Sequence, residues 1–151
     1  VPVIIQLLTR FPSIKRVLVM VQSEVADRLA AEPGSRIYGV PSVKARWFGD
    51  VKRVATVGRN VFWPAPNVDS ALVAISRHDS VLADVSQAEL FACVDAAFSQ
   101  RRKMLRTALA GWAGSAQEVE RLLAVANVKP TARGEELAVA DFIRIVQARH
   151  A

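Results

Sequence analysis

The sequence predicts an α/β architecture that gives way to an all-α one, and three observations carry that reading. Val17-Leu18-Val19-Met20-Val21 is an unbroken β-favouring run. Val51 to Val57 and Ser70 to Ser76 show the alternation expected of strands. From Ser86 onward the apolar spacing turns helical, with Leu90, Phe91, Val94, Ala97 and Phe98 forming one stripe. The expected division is therefore residues 1–80, an α/β part, and residues 81–151, a helical part.

Taken in order, Pro2 suits the first turn of a helix whose apolar face is Ile4, Ile5, Leu7, Leu8 and Phe11, ended by Pro12 and Ser13. The continuous run Val17 to Val21 predicts a strand covered on both faces, as in a parallel sheet. Ser23 is placed to cap a helix from Glu24 to about Ala31, which Pro33-Gly34 stops. A small helix near Pro41 to Trp47 leads into the strand Val51 to Val57. The loop holding Pro64 and Pro66 then predicts an antiparallel return along Ser70 to Ser76. Three strands fall short of the roughly five to seven of a doubly wound sheet, so part of the sheet is expected to be missing. The open edge invites self-association with another copy. In the helical part, Ser86-Gln87-Ala88-Glu89 and Ser115-Ala116-Gln117-Glu118 are capping boxes, Asn127 and Pro130 close the second helix, and Val139 to Ala148 predicts a final one.

Hydrophobic residues make up 52% and charged ones 23%, which excludes a disordered chain. No run approaches the roughly 18–20 apolar residues of a membrane span. The opening Val1-Pro2-Val3 has neither an initiator Met nor a signal-peptide pattern and reads as an internal cut. Cys93 alone makes no intrachain disulfide. With His78 and His150 it supplies no zinc set, so a cytoplasmic, metal-free protein is expected. The formal charge of +6 favours an anionic partner. Residues 1–80 carry 11 Lys/Arg against 6 Asp/Glu, and residues 81–151 carry 9 against 8. Within that nearly neutral second part, Arg101, Arg102, Lys103 and Arg106 cluster with no acid among them.

The helical stripe breaks at Ser99. If Ser99 caps a new helix, three cations sit in a first turn that disfavours them by roughly 0.3–1 kcal/mol each. A phosphate bound there reverses the sign, because it takes both the free backbone N–H groups and the side chains. A solvated basic face or an interdomain ion pair is the competing reading. A second constellation is Asn60-Val61-Phe62-Trp63-Pro64-Ala65-Pro66-Asn67-Val68-Asp69-Ser70, with two aromatics stiffened by two prolines. Such rings either plug a core edge or grip a base drawn from its stack. Trp47, Trp63 and Trp112 lack regular spacing and read as core or interface anchors. His78 and His150 read as solvated, and Cys93 as a small buried apolar group.

Four blocks together resemble the ribosomal RNA adenine N6-dimethyltransferases, relatives of the erythromycin-resistance methylases. They are Gln22-Ser23-Glu24-Val25-Ala26-Asp27-Arg28-Leu29 with Pro33-Gly34-Ser35 and Tyr38-Gly39; Phe62-x-Pro64-x-Pro66-x-Val68-Asp69-Ser70-Ala71; Ala97-Phe98-Ser99-Gln100-Arg101-Arg102-Lys103-x-Leu105-Arg106; and Arg133-x-Glu135-x-Leu137 with Phe142. Order and spacing agree along essentially the whole chain.

The resemblance implies the C-terminal part of a Rossmann-like methyltransferase sheet plus a small helical RNA-binding domain. It implies methyl transfer from S-adenosylmethionine to two adjacent adenines near the 3′ end of small-subunit ribosomal RNA, on a 30S-type particle. It makes Phe62 the ring that stacks on the target adenine, and Arg101, Arg102, Lys103 and Arg106 the RNA-binding segment. The family's Asn-Leu-Pro-Tyr motif does not occur here and none of the seven glycines forms Gly-x-Gly, so this chain alone is expected not to methylate. A non-catalytic ribosome-assembly or nucleic-acid-binding module is the alternative. Asp69 and Ser70 read as turn and strand-start groups, and Glu24 with Arg28 as a helical pair. Asn67 stands where many relatives have Lys, and Ala138 where a capping Ser is common.

Overall fold

All three predicted strands form, and they pair into one antiparallel sheet of order β1-β3-β2. The computed structural model describes residues 1–151. In chain order the first part holds α1 (Pro2–Arg10), β1 (Arg16–Gln22), α2 (Ser23–Ala30), α3 (Val40–Phe48), β2 (Gly49–Val57) and β3 (Ser70–Arg77). The second part holds α4 (Gln87–Ser99), α5 (Leu105–Ala108), α6 (Ala110–Ala113), α7 (Ala116–Val125) and α8 (Val139–Arg149). No helix is long and apolar enough to cross a membrane.

The expectation of a parallel, doubly covered β1 is corrected. β3 runs antiparallel to both neighbours, with Val19 opposite Val73 and Val73 opposite Arg53. Side chains alternate between faces. Ala71, Val73 and Ile75 of β3 are buried with Ile4 and Leu8 of α1, Ala26 and Leu29 of α2, and Ala45 and Phe48 of α3. Leu18 and Met20 point the other way and are 64% and 51% exposed. A continuous apolar run thus has one helix-covered face and one open one.

Gly49 is required where it stands, because a Cβ there would collide with the backbone carbonyl of Ser76. The register shifts between Arg53 and Ala55, leaving exposed Val54 in a bulge.

The cap at Ser23 is also corrected: Ser23 is the first residue of α2, and its backbone N–H donates to Asp69 O at 3.0 Å. Ser86 and Ser115 do cap α4 and α7, accepting from Glu89 N and Glu118 N. At α8 Ala138 has no side chain with which to cap, and only the reciprocal half of the box is made: the Asp141 carboxylate accepts from Ala138 N at 2.9 Å. Asn127, at φ 58°, ends α7 in the left-handed region that asparagine tolerates.

A second core gathers Leu90, Cys93, Val94 and Ala97 of α4, Leu123 of α7 and Phe142 of α8, and it takes in Ala31, Tyr38 and Val43 from the first part. The loop after α2 is therefore an element of the helical core. Tyr38 is fully buried and its hydroxyl donates to Leu137 O at 2.6 Å. Gly34 N donates to Glu135 O at 2.6 Å. Ser42 is the buried polar side chain behind this loop; it accepts from Gly39 N and donates to Arg28 O.

Candidate nucleic-acid interface

Residues 58–69 cross from β2 to β3 as a loop fastened at both ends. Arg59 N donates to the Asp69 carboxylate at 3.0 Å, and the Arg59 guanidinium donates to Asn67 O at 3.1 Å. Pro64 and Pro66 fix two φ angles between those ties. Asp69 thus has the turn-forming role expected of it. On this frame Phe62 is half-buried and Trp63 is 95% exposed. The two rings do not jointly plug a core edge, and Trp63 is no core anchor.

The basic cluster lies elsewhere, in the turn between α4 and α5. Ser99 is the last residue of α4 and Met104 the N-cap of α5, so Arg101, Arg102 and Lys103 precede a helix instead of filling its first turn. The macrodipole argument does not apply to them. Lys103 N donates to Gln100 O and closes the turn.

The four cations are not equivalent. Arg101 donates to Tyr38 O at 2.6 Å and Arg36 O at 2.5 Å, meets the Glu135 carboxylate at 3.2 Å, and lies over the Phe98 ring. Its hydrogen bonds tie the turn to the loop after α2, while its ion pair with Glu135 stays within residues 81–151. Arg106 pairs with Glu120. Arg102 and Lys103 are exposed and form no ion pair. Beside Arg101 a cleft of about 290 Å³ brings in Arg28 and Arg36. No hydrogen bond or ion pair joins loop 58–69 to residues 100–106.

Other polar groups are structural. Glu24 and Arg28 pair across one helical turn at 3.4 Å. His78 is not solvated as expected: its Nε2 lies 3.0 Å from Arg46 O, and its backbone N–H donates to Phe48 O. His150 is largely exposed but sits 2.7 Å from the Glu89 carboxylate. Cys93 is buried, and burial pushes its thiol up to about 12. Trp47 donates to Gln87 between the two cores, and Trp112 lies under Arg149, so these two are anchors. Sequence reasoning missed two arginines that hold helix ends. Arg46 donates to Ala30 O and Ala31 O, and Arg77 donates to Leu8 O, Phe11 O and Ile14 O. An isolated arginine gives no sequence signal for such a role.

The profile described as "Ribosomal RNA adenine dimethylase" matches residues 1–150. The chain belongs to that family. It is 62% identical over 152 residues to "Ribosomal RNA small subunit methyltransferase A" of Streptomyces avermitilis, a match covering 100% of the chain and 52% of the relative. The Paenarthrobacter aurescens protein of the same name is 58% identical over 150 residues, covering 99% and 51%. The chain thus spans about half the length of the curated relatives it matches.

Among solved structures it is similar to a dimethyladenosine transferase from Plasmodium falciparum, with TM-score 0.79 and 22% identity, covering 97% of the chain and 61% of that structure. It is also similar to the 23S rRNA methyltransferase ErmE, with TM-score 0.66 and 20% identity, covering 99% and 61%. These likenesses give the fold of the family member: a fragment of a Rossmann-like methyltransferase fold, with a three-stranded sheet followed by helices.

Proposed function

We propose that this chain is the RNA-facing C-terminal part of an enzyme that dimethylates N6 of two adjacent adenines near the 3′ end of small-subunit ribosomal RNA. The methyl donor is S-adenosylmethionine, and the enzyme acts in the cytoplasm on a 30S-type particle. Residues 1–80 are its partial methyltransferase domain and residues 81–151 its helical RNA-binding domain. The observation that supports this most is the family match along residues 1–150, with the aromatic loop 58–69 held at the surface.

The adenine amine is a weak nucleophile because its lone pair is delocalised into the ring, so the site must fix its orientation. Phe62 contributes a ring face for the extruded adenine. Arg102 and Lys103 meet backbone phosphates, and Arg101 and Arg106, paired with Glu135 and Glu120, set the turn that presents them to the RNA.

The residues here do not suit the donor. The cleft with Arg28, Arg36 and Arg101 is cationic and opposes a sulfonium charge, and the larger one sets Lys15 and Arg77 against Asp79 alone. No methyl-transfer step is assigned to this chain.

The test is transfer of labelled methyl groups by the full-length protein carrying this chain to undermethylated small ribosomal particles. Label in adenines near the 3′ end is the expected result, and its absence overturns the reading. Salt-dependent RNA binding without transfer would identify a non-catalytic assembly module instead.

A further inference from the structure

Trp63 has no structural task within the chain. It is 95% exposed, whereas Trp47 and Trp112 are half-buried and partnered. No ring or cation lies against it. Leaving a large apolar ring in water forgoes the usual gain of burial. The loop is not free to fold it away, because Arg59, Asp69 and the two prolines hold the backbone. Val61, 73% exposed, and Val68, 47% exposed, extend the apolar tip. Arg59 is exposed in the same loop and pairs with no acid side chain.

A pre-ordered indole with both faces open, on a loop that also carries an exposed arginine, is the arrangement that takes an unpaired nucleobase. Phe62 is half-buried and Trp63 is 95% exposed, so the two rings stand in different surroundings.

We infer that Trp63 stacks on a second, single-stranded base next to the one Phe62 receives, making loop 58–69 a two-base platform. The inference rests on the reading of this chain as RNA-facing. It makes Trp63 a binding residue that sets how the strand enters.

The experiment measures binding of a fluorescently labelled single-stranded RNA of about ten nucleotides with two adjacent adenines. The full-length protein carrying this chain is compared with its Trp63→Phe and Trp63→Leu variants. The side chain is exposed, so the far-ultraviolet circular dichroism of all three should coincide. Stacking predicts that Trp63→Leu weakens binding by roughly five- to a hundredfold. Trp63→Phe, which keeps a π-face, should stay within a few-fold of the parent, and tryptophan emission should be quenched by RNA in the parent but much less in Trp63→Leu. Equal affinity of Trp63→Leu and parent overturns the inference and leaves the ring to a protein partner. Equal loss in both variants overturns it too, because a phenyl ring would then not substitute. No salt-dependent binding by the parent overturns the RNA reading itself, and this inference with it.

Discussion

Tyr38 shows how much one side chain can settle. Its ring fills the helical core, its hydroxyl meets Leu137 O, and its own carbonyl accepts from Arg101. Burial pushes the phenol up to about 12, and the Cys93 thiol likewise, from ordinary values of 10.0 and 9.0. Above pH about 9 the unfolded chain releases protons that the folded chain keeps. Stability is therefore fully present below those ordinary values and falls as pH rises towards about 12. Urea titrations from pH 8 to 11 should show that decline. Tyr38→Phe should lower stability at pH 7 by about 1–3 kcal/mol, because Leu137 O loses a buried donor, and should make the alkaline decline shallower. An unchanged slope would mean that Tyr38 titrates freely in the folded chain.

At the scale of elements, the turn between α4 and α5 separates holding from binding. Arg102→Ala with Lys103→Ala should leave thermal unfolding unchanged and reduce the slope of log affinity for RNA against log salt by roughly one to two. Arg101→Ala should lower the unfolding temperature, because carbonyls of Arg36 and Tyr38 lose their donor. Melting curves and salt titrations distinguish the two; a stable Arg101→Ala protein with a reduced slope would reverse the assignment. This distinction was not legible in the sequence. Four cations within six residues look alike until the acids that neutralise two of them, Glu135 and Glu120, are brought in from distant positions. Strands and major helices were legible, because apolar period and capping boxes are local. The single-sided burial of β1 was not, since Val17 to Val21 reads the same whether one face or two are covered. Phe62 emerged as a candidate through resemblance. Trp63, in contrast, read as an anchor, because nothing in its neighbours specifies exposure.

At the scale of the molecule, the sheet has helices on one side only. Leu18 and Met20 lie uncovered, and the outer edge of β1 has no partner strand. An open edge beside an apolar face is a template for pairing. The isolated 151-residue chain should therefore self-associate as its concentration rises, and Leu18→Glu with Met20→Glu should shift sedimentation towards the monomer. Sedimentation identical in parent and double variant would show that this face is not what associates.

The loop after α2 also imposes an order in time. Tyr38 and Leu137 are 99 residues apart. During synthesis at about 5–20 residues per second, a nascent Tyr38 waits roughly 5–20 s before its partner is even polymerised. Until then the α2–α3 region presents a bare aromatic to whatever nascent-chain chaperones attend the ribosome.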